Sequence, residues 1–254
     1  MKLTEEEVRI IKKANKEKLG LSIITNWGCP FSCHYCIWKQ LNYNISDVFG
    51  DLDKLDDILG LYHGKKINLS GGGDPLYNYM RFFISKVLLR TFKIAKNNNK
   101  KVDIHTRIIL PARDLQTDIE KVIDTYVHKW VISFDDIESI EKIDWCNYKN
   151  KKVRLVYIIK PSDTLDKLKE MIKIVKALGF QLTFKELVYI NKTLDKKYYD
   201  FLQEAKQELT EKGKIEVLFN NDYNIYYFPD STLREKYTSA KKQRGKNKWN
   251  FGKR

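Results

Sequence analysis

Residues 21–36 read "LSIITNWGCPFSCHYC", a short β-branched run that opens into a loop holding three of the chain's four cysteines. The run "LSIIT" has the composition of a buried strand. Cys29, Cys33 and Cys36 follow it at the spacing C-x3-C-x2-C. Disulfides need thiols in pairs, and a closed zinc site needs four ligands. Three thiolates hold three corners of a [4Fe–4S] cube and leave the fourth iron open to a ligand that does chemistry. Zinc is the competing reading, with Cys146 or His63 brought in by the fold as fourth ligand. His34, between Cys33 and Tyr35, is expected to point away from a site that its neighbours form.

Working outward, the chain alternates β-branched runs with stretches of helical period. Runs at 66–70, 101–109, 129–134, 151–160 and 180–188 read as five further strands. Between them, 45–62 places Val48, Leu52, Leu55 and Leu59 on one helix face, and 79–96 is a longer helical stretch. A helix after Pro111 carries Ile119, Val122 and Ile123; a short piece, "DIESIEKI", follows the fourth strand; another helix carries Leu168, Ile172 and Val175 and stops at Gly179. Alternation with apolar strands predicts a parallel sheet covered by helices. Six units are too few for a closed eight-fold barrel. The expected fold is therefore α/β, a partial (β/α)6 TIM-like barrel over residues 20–190. Residues 1–19 read as an N-terminal helix, with Thr4 and Glu7 at capping-box spacing. Residues 191–254 read as a small C-terminal α+β extension: a helix, a hairpin around Asn220–Asn221–Asp222, and a basic tail. In such folds the reactive groups sit at the C-terminal ends of the strands.

With 254 residues, 43% of them apolar and 13% aromatic, the chain can bury one good-sized core. No apolar run has bilayer-spanning length and "MKLTEEEVRIIKK" is not a signal peptide, so a cytoplasmic protein with no membrane partner is expected. Clustered cysteines in that compartment favour metal or redox chemistry over disulfides. The net charge of +14 points to a polyanionic partner, although 38 Lys outnumber 9 Arg, the residue better suited to forked phosphate contacts. From Arg234 to Arg254 nine residues are basic and only Glu235 is acidic. Trp249 and Phe251 are interleaved there as in a nucleic-acid-binding tail; a solvated, frayed terminus is the other reading.

The second strand closes on "SGGGDPL" (70–76). Glycine lets a backbone approach a ligand closely, Pro75 stiffens the exit, and Asp74 supplies a carboxylate. With the cysteine loop, this resembles the radical S-adenosylmethionine (radical SAM) superfamily. There C-x3-C-x2-C follows the first strand, an aromatic residue, here Tyr35, precedes the last cysteine, and Gly-Gly-Glu-Pro ends the second strand. Gly72, Gly73, Asp74 and Pro75 match, with Asp in place of Glu. The resemblance implies that Cys29, Cys33 and Cys36 bind a [4Fe–4S] cluster and that SAM chelates the open iron. It implies that Tyr35 lies against the adenine through its backbone, and that Gly72, Gly73 and Asp74 orient the SAM ammonium group. It further implies reductive cleavage of SAM to a 5′-deoxyadenosyl radical that takes hydrogen from a substrate. An external one-electron donor such as flavodoxin or ferredoxin, and sensitivity to oxygen, go with that chemistry. "GGDPL" together with "IHTRIILPAR" (104–113) is locally similar to the lysine 2,3-aminomutase branch. Ile37 and Trp38 stand where that branch has basic residues, and no pyridoxal-phosphate constellation accompanies the match.

Other strand ends supply further candidates. His105 and Arg107, at the third, are candidate SAM or substrate contacts. Ser133 and Asp135 or Asp136, at the fourth, are candidates for the SAM ribose hydroxyls, with an Asx-type helix cap as the alternative for the acidic pair. Lys160 ends the fifth strand and reads as solvated or as facing an anionic substrate group. Lys185 and Glu186 lie on the sixth, and Cys146 reads as a buried structural cysteine. Three functions follow. The first is modification of a nucleotide or nucleic acid, from the charge and the tail. The second is action on a protein or peptide, as in glycyl-radical activation, with the extension docking it by strand addition. The third, from another class, is a non-enzymatic metal-binding module that presents the basic tail to nucleic acid.

Overall fold

The computed structural model describes residues 2–25, 28–36, 40, 49–70, 72–111, 116–148, 150–187, 194–210, 215–218 and 224–236. In chain order these form α1 (Glu5–Glu17), β1 (Gly20–Ile24), α2 (Leu52–Leu61), β2 (Lys66–Ser70), α3 (Phe82–Asn97), β3 (Lys101–Thr106), α4 (Asp118–Tyr126), β4 (Val127–Phe134) and α5 (Ile137–Glu141). A 3-10 turn at Cys146–Tyr148 precedes β5 (Val153–Ile158), α6 (Leu165–Ala177), β6 (Gln181–Lys185), α7 (Lys196–Thr210), β7 (Ile215–Leu218), β8 (Asn224–Tyr227) and β9 (Leu233–Arg234). One sheet contains all nine strands, in the order β7-β6-β5-β4-β3-β2-β1-β8-β9. Every pairing is parallel except β8 with β9.

The helices start where local chemistry starts them. Thr4 and Glu7 form a reciprocal capping box, with Glu7 N–H donating to Thr4 Oγ1 at 3.2 Å and Thr4 N–H to Glu7 Oε2 at 3.0 Å. Thr117 and Glu120 repeat the box at α4. Asp51 caps α2 by accepting from the N–H groups of Asp53 and Lys54, so that helix begins at Leu52, later than the helical period suggests. Residues 45–48 of the expected helix lie outside the described residues.

Side-chain alternation sorts each strand into two faces. Leu21 and Ile23, Ile67 and Leu69, Val102 and Ile104, Trp130 and Ile132, Leu155 and Tyr157, and Leu182 and Phe184 all join the core beneath the helices. The opposite face is different. It carries Ser22, Asn68, Asp103, His105, Lys129, Arg154 and Thr183, joined in register across β1 to β6. The strands are thus not apolar throughout, as a sheet buried on both sides would require. One face builds the core and the other lines a polar lumen. A bulge between Val102 and Asp103 accommodates the longer β4, and His128 Nδ1 lies 2.8 Å from Asp103 Oδ1 there.

Six β/α units in sequential order match the expected partial barrel. The C-terminal strands require a correction. β7 and β8 are not hairpin partners: β7 pairs with β6 on one side of the sheet, and β8 pairs with β1 on the other. The expected turn, Asn220–Asn221–Asp222, lies outside the described residues. Only five residues separate β7 from β8, a reach of roughly 22 Å at full extension. Eight strands laid flat would hold those edges about 34 Å apart. The sheet therefore curls back on itself, and the chain's last strands seal the β1 side of the barrel. Glu7 ties this seam. It pairs with Lys54 of α2 at 2.7 Å and accepts from Leu233 N–H of β9 at 3.2 Å.

Candidate active site

The C-terminal ends of β1 to β5 bring most of the predicted residues together. The loop after β1 carries Cys29, Cys33 and Cys36, all partly exposed and free of disulfides. It folds with Cys36 N–H donating to Cys33 O at 3.3 Å and Gln40 N–H to Cys36 O at 3.1 Å. The Cys29 thiol is pushed up by burial, which outweighs a backbone N–H from Phe31, and the charges of Asp74, Cys33 and Cys36 push the same way. The three sulfurs thus share one neighbourhood. Among the described residues no group of His, Cys, Asp and Glu is drawn together tightly enough to chelate a single ion. The residues expected to complete a zinc site are remote: His63 precedes β2 and Cys146 precedes β5, at the opposite end of the strands. The loop suits a cube, where each thiolate takes its own corner iron. Cys146 is exposed rather than buried, its thiol 3.2 Å from Asp144 Oδ2. A 3-10 turn at the surface has no core to offer it.

The glycine turn after β2 holds the cysteine loop. A Cβ placed on Gly73 would lie 1.8 Å from the carbonyl oxygen of Gly28, and Asp74 N–H donates to that oxygen at 2.8 Å. A Cβ on Gly28 would in turn strike the Tyr77 ring at 2.1 Å. Asp74 is 4% exposed, and its carboxylate is committed. It accepts from Leu76 N–H at 2.9 Å, Thr106 Oγ1 at 2.8 Å and Arg107 N–H at 2.8 Å. Burial raises its pKa in spite of these donors. Asp74 therefore fastens the glycine turn to the end of β3, and Thr106, which the sequence reading passed over, is its partner. Pro75 is buried within the same turn.

Arg107 is the hub. Nη1 donates to Cys33 Sγ at 2.7 Å, Nη2 to Asp135 Oδ2 at 2.5 Å, and the guanidinium sits 4.7 Å from the centre of the Phe31 ring. The Tyr35 hydroxyl donates to the other oxygen of Asp135, while the Tyr35 carbonyl accepts from Gln40 Nε2 at 3.2 Å. Burial pushes the Asp135 carboxyl up, but the bonds from Tyr35 and Arg107 prevail and hold it below the usual range. Burial and then Asp135 raise the Tyr35 phenol. Lys160 is not simply solvated, since Nζ donates to the Asp135 carbonyl at 2.7 Å. Phe31, Cys33, Tyr35, Arg107, Asp135 and Lys160 line a cavity of about 460 Å³, within the rough 300–1,000 Å³ range of small-molecule sites.

Adjacent acids take different tasks. Asp135 faces the cavity, whereas Asp136 is the N-cap of α5 and accepts from Ser139 N–H at 2.7 Å. Ser133 and His105 lie lower, on the lumen face, outside the cavity lining. Burial and then the charges of Lys185, Arg154 and Lys129 push the His105 imidazole down to about 3, so it is neutral near pH 7. Residues 37–39 and the tail from 237 onward lie outside the described residues.

A loop of three cysteines docked on a glycine turn, at the strand ends of a partial barrel, defines a class of SAM-handling enzyme. The radical SAM superfamily model matches residues 23–205, and the chain belongs to that superfamily. It is therefore an enzyme, of a family whose chemistry rests on SAM and an iron–sulfur cluster. The chain is 26% identical over 121 residues to the dual-specificity RNA methyltransferase RlmN of Buchnera aphidicola subsp. Cinara cedri (strain Cc), covering 42% of this chain and 33% of that one. It spans about a third of that relative. Streptococcus suis SuiB bound to S-adenosylmethionine superposes with a TM-score of 0.59 at 11% identity, over 89% of this chain and 63% of SuiB. SuiB bound to its precursor peptide SuiA gives 0.57 at 11%, over 94% and 65%. At such identity the likeness is one of fold. No described helix is long and apolar enough to cross a membrane.

Proposed function

We infer that Cys29, Cys33 and Cys36 hold a [4Fe–4S] cluster and that the strand-end cavity beside them takes SAM. The carrying observation is the convergence of the cysteine loop, the Gly28–Gly73 backbone contact and the Arg107–Asp135–Tyr35 network around one cavity. When bound, the cluster supplies one electron, received from an external donor such as flavodoxin or ferredoxin, that cleaves SAM to methionine and a 5′-deoxyadenosyl radical able to take a hydrogen atom. Gly72 and Gly73 present backbone to the ligand's amino group, and Asp74 keeps that backbone in place through Thr106 and Arg107. Asp135, held ionised, accepts from ribose hydroxyls. Phe31 and Tyr35 wall the site against water.

The substrate supported best is a nucleotide or nucleic acid, on the net charge of +14 and the sequence similarity to an RNA methyltransferase. A peptide substrate rests on the fold likeness to SuiB alone. Membership of an enzyme superfamily sets aside the non-enzymatic module. The test is anaerobic reconstitution with iron and sulfide, reduction with SAM, and assay of 5′-deoxyadenosine. Product that vanishes in Cys33→Ala supports the reading; iron uptake without SAM cleavage rejects it. Binding of single-stranded RNA that weakens steeply with salt separates the nucleic-acid substrate from the peptide.

A further inference from the structure

The lumen below the cavity has a charge pattern that the SAM site does not use. Pairing sets His105 opposite Val131, Val131 opposite Arg154, and Arg154 opposite Gln181. Residues paired in register share a face, as do residues two apart on one strand. Lys129, Arg154 and Lys185 therefore project from the face of His105, on three consecutive strands. That face is the lumen, because Ile104, Ile132, Leu155 and Phe184 on the other are buried in the core. The charges of all three cations are felt at the one imidazole. Asp103, the acid on this face of β3, is engaged by His128.

Such a gathering exceeds what one carboxylate calls for. A phosphoryl group carries a charge of about −1.5 to −2 and three strong acceptor oxygens. It suits one forked guanidinium and two ammonium groups placed around it. Thr183, 1% exposed on the same face, adds a hydroxyl, and the neutral His105 offers a ring N–H without repelling the cations further. We propose that Lys129, Arg154 and Lys185 form a subsite for a phosphoryl group of the substrate, in the lumen beneath the strand-end cavity. This subsite rests on reading that cavity as the place of reaction.

The test is calorimetric titration of the reconstituted full chain, with SAM present, using inorganic phosphate, adenosine 5′-monophosphate, ribose 5-phosphate and a short single-stranded RNA as probes. Arg154→Gln and Lys185→Gln are each expected to weaken phosphate binding about tenfold or more, the size of one charge-assisted hydrogen bond. Lys169→Gln, on the outer surface of α6, is expected to leave it unchanged. The tightest of the other three probes identifies the source of the phosphoryl group. Absence of phosphate binding in the native chain, or equal binding in both lumen variants, overturns the subsite. Should Arg154→Gln not fold, Lys185→Gln at the end of β6 decides alone. SAM cleavage by the native chain is assayed separately. Cleavage without lumen-dependent binding overturns the subsite only; lumen-dependent binding without cleavage overturns the radical SAM reading and leaves the anion site standing.

Discussion

Arg107 and Cys33, seventy-four residues apart, meet through a hydrogen bond of 2.7 Å from guanidinium to sulfur. A donor on a cluster thiolate favours the more negative, reduced state. Arg107→Met removes it while keeping most of the apolar stem. The midpoint potential of the reconstituted cluster is expected to fall by about 60–130 mV, the one-electron equivalent of a hydrogen bond to a charged group. A redox titration followed by electron paramagnetic resonance reads this directly, and an unchanged potential would show that the contact does not persist around the cluster.

Gly73 has no room for a methyl group, because the obstacle is backbone rather than a side chain that can turn aside. Gly73→Ala is expected to cost about 1–3 kcal/mol through overpacking and to displace the cysteine loop. Iron bound after reconstitution should drop severalfold while the far-ultraviolet circular dichroism stays native. Full iron loading in this variant would refute the docking role of the turn.

Glu7 and Lys54 form a buried ion pair, and Glu7 also holds β9. Glu7→Gln leaves Lys54 buried without its counter-charge, which should cost roughly 3–5 kcal/mol. Burial alone would push the Glu7 carboxyl up, but Lys54, Thr4 and Leu233 hold it below its model value of 4.5. A depressed carboxylate contributes stability above its unfolded pKa and loses it as pH falls through the folded one. Urea unfolding should therefore show a wide gap between native and variant at pH 7 that narrows below pH 4. A gap that is constant with pH would assign the loss to packing instead.

His105 gives the opposite residue type with the same sign of slope. Its folded pKa lies far below that of a free imidazole, so the unfolded chain takes up a proton that the folded chain refuses. Its contribution is complete above about pH 6.5 and is lost as pH falls from there toward 3. The groups that face it, Lys129, Arg154 and Lys185, are cationic throughout that range. Nitrogen-15 spectra of the imidazoles should show one histidine that does not titrate between pH 5 and 8, absent in His105→Gln. Ordinary titration of all four histidines would contradict the enclosed position.

Much of this was readable in the chain because the signals are local. Thr4 and Glu7 announce α1, the cysteine spacing announces the first loop, and Asp74 with Pro75 announces the second. What escaped the reading is set by distance in sequence. Asp74 looks like a ligand-facing carboxylate until Thr106 and Arg107 are seen to consume its acceptors. Asp135 and Asp136 are equivalent on paper and separate only when α5 begins at Ile137. The two C-terminal strands read as a hairpin since short separation favours local pairing, yet β1 and β6 offered them longer-range partners. The polar lumen had a signal that went unread: "KVDIHT" and "KINLS" alternate with period two, which a strand buried on both faces does not do.

Placing β8 against β1 has a consequence for how the molecule is made. Gly20 and Asn224 are register partners, and at about 5–20 residues per second the ribosome needs tens of seconds to deliver the second after the first. Through that interval β1 presents one unpaired row of N–H and C=O groups, the kind of template on which other chains add strands. Pairing so remote is slow to find even once the residues exist. The nascent chain should depend on chaperones until its last strands arrive, and variants that weaken β8 or its hold on Glu7 should fail first as low yield in the cell, before any loss of catalysis is measurable.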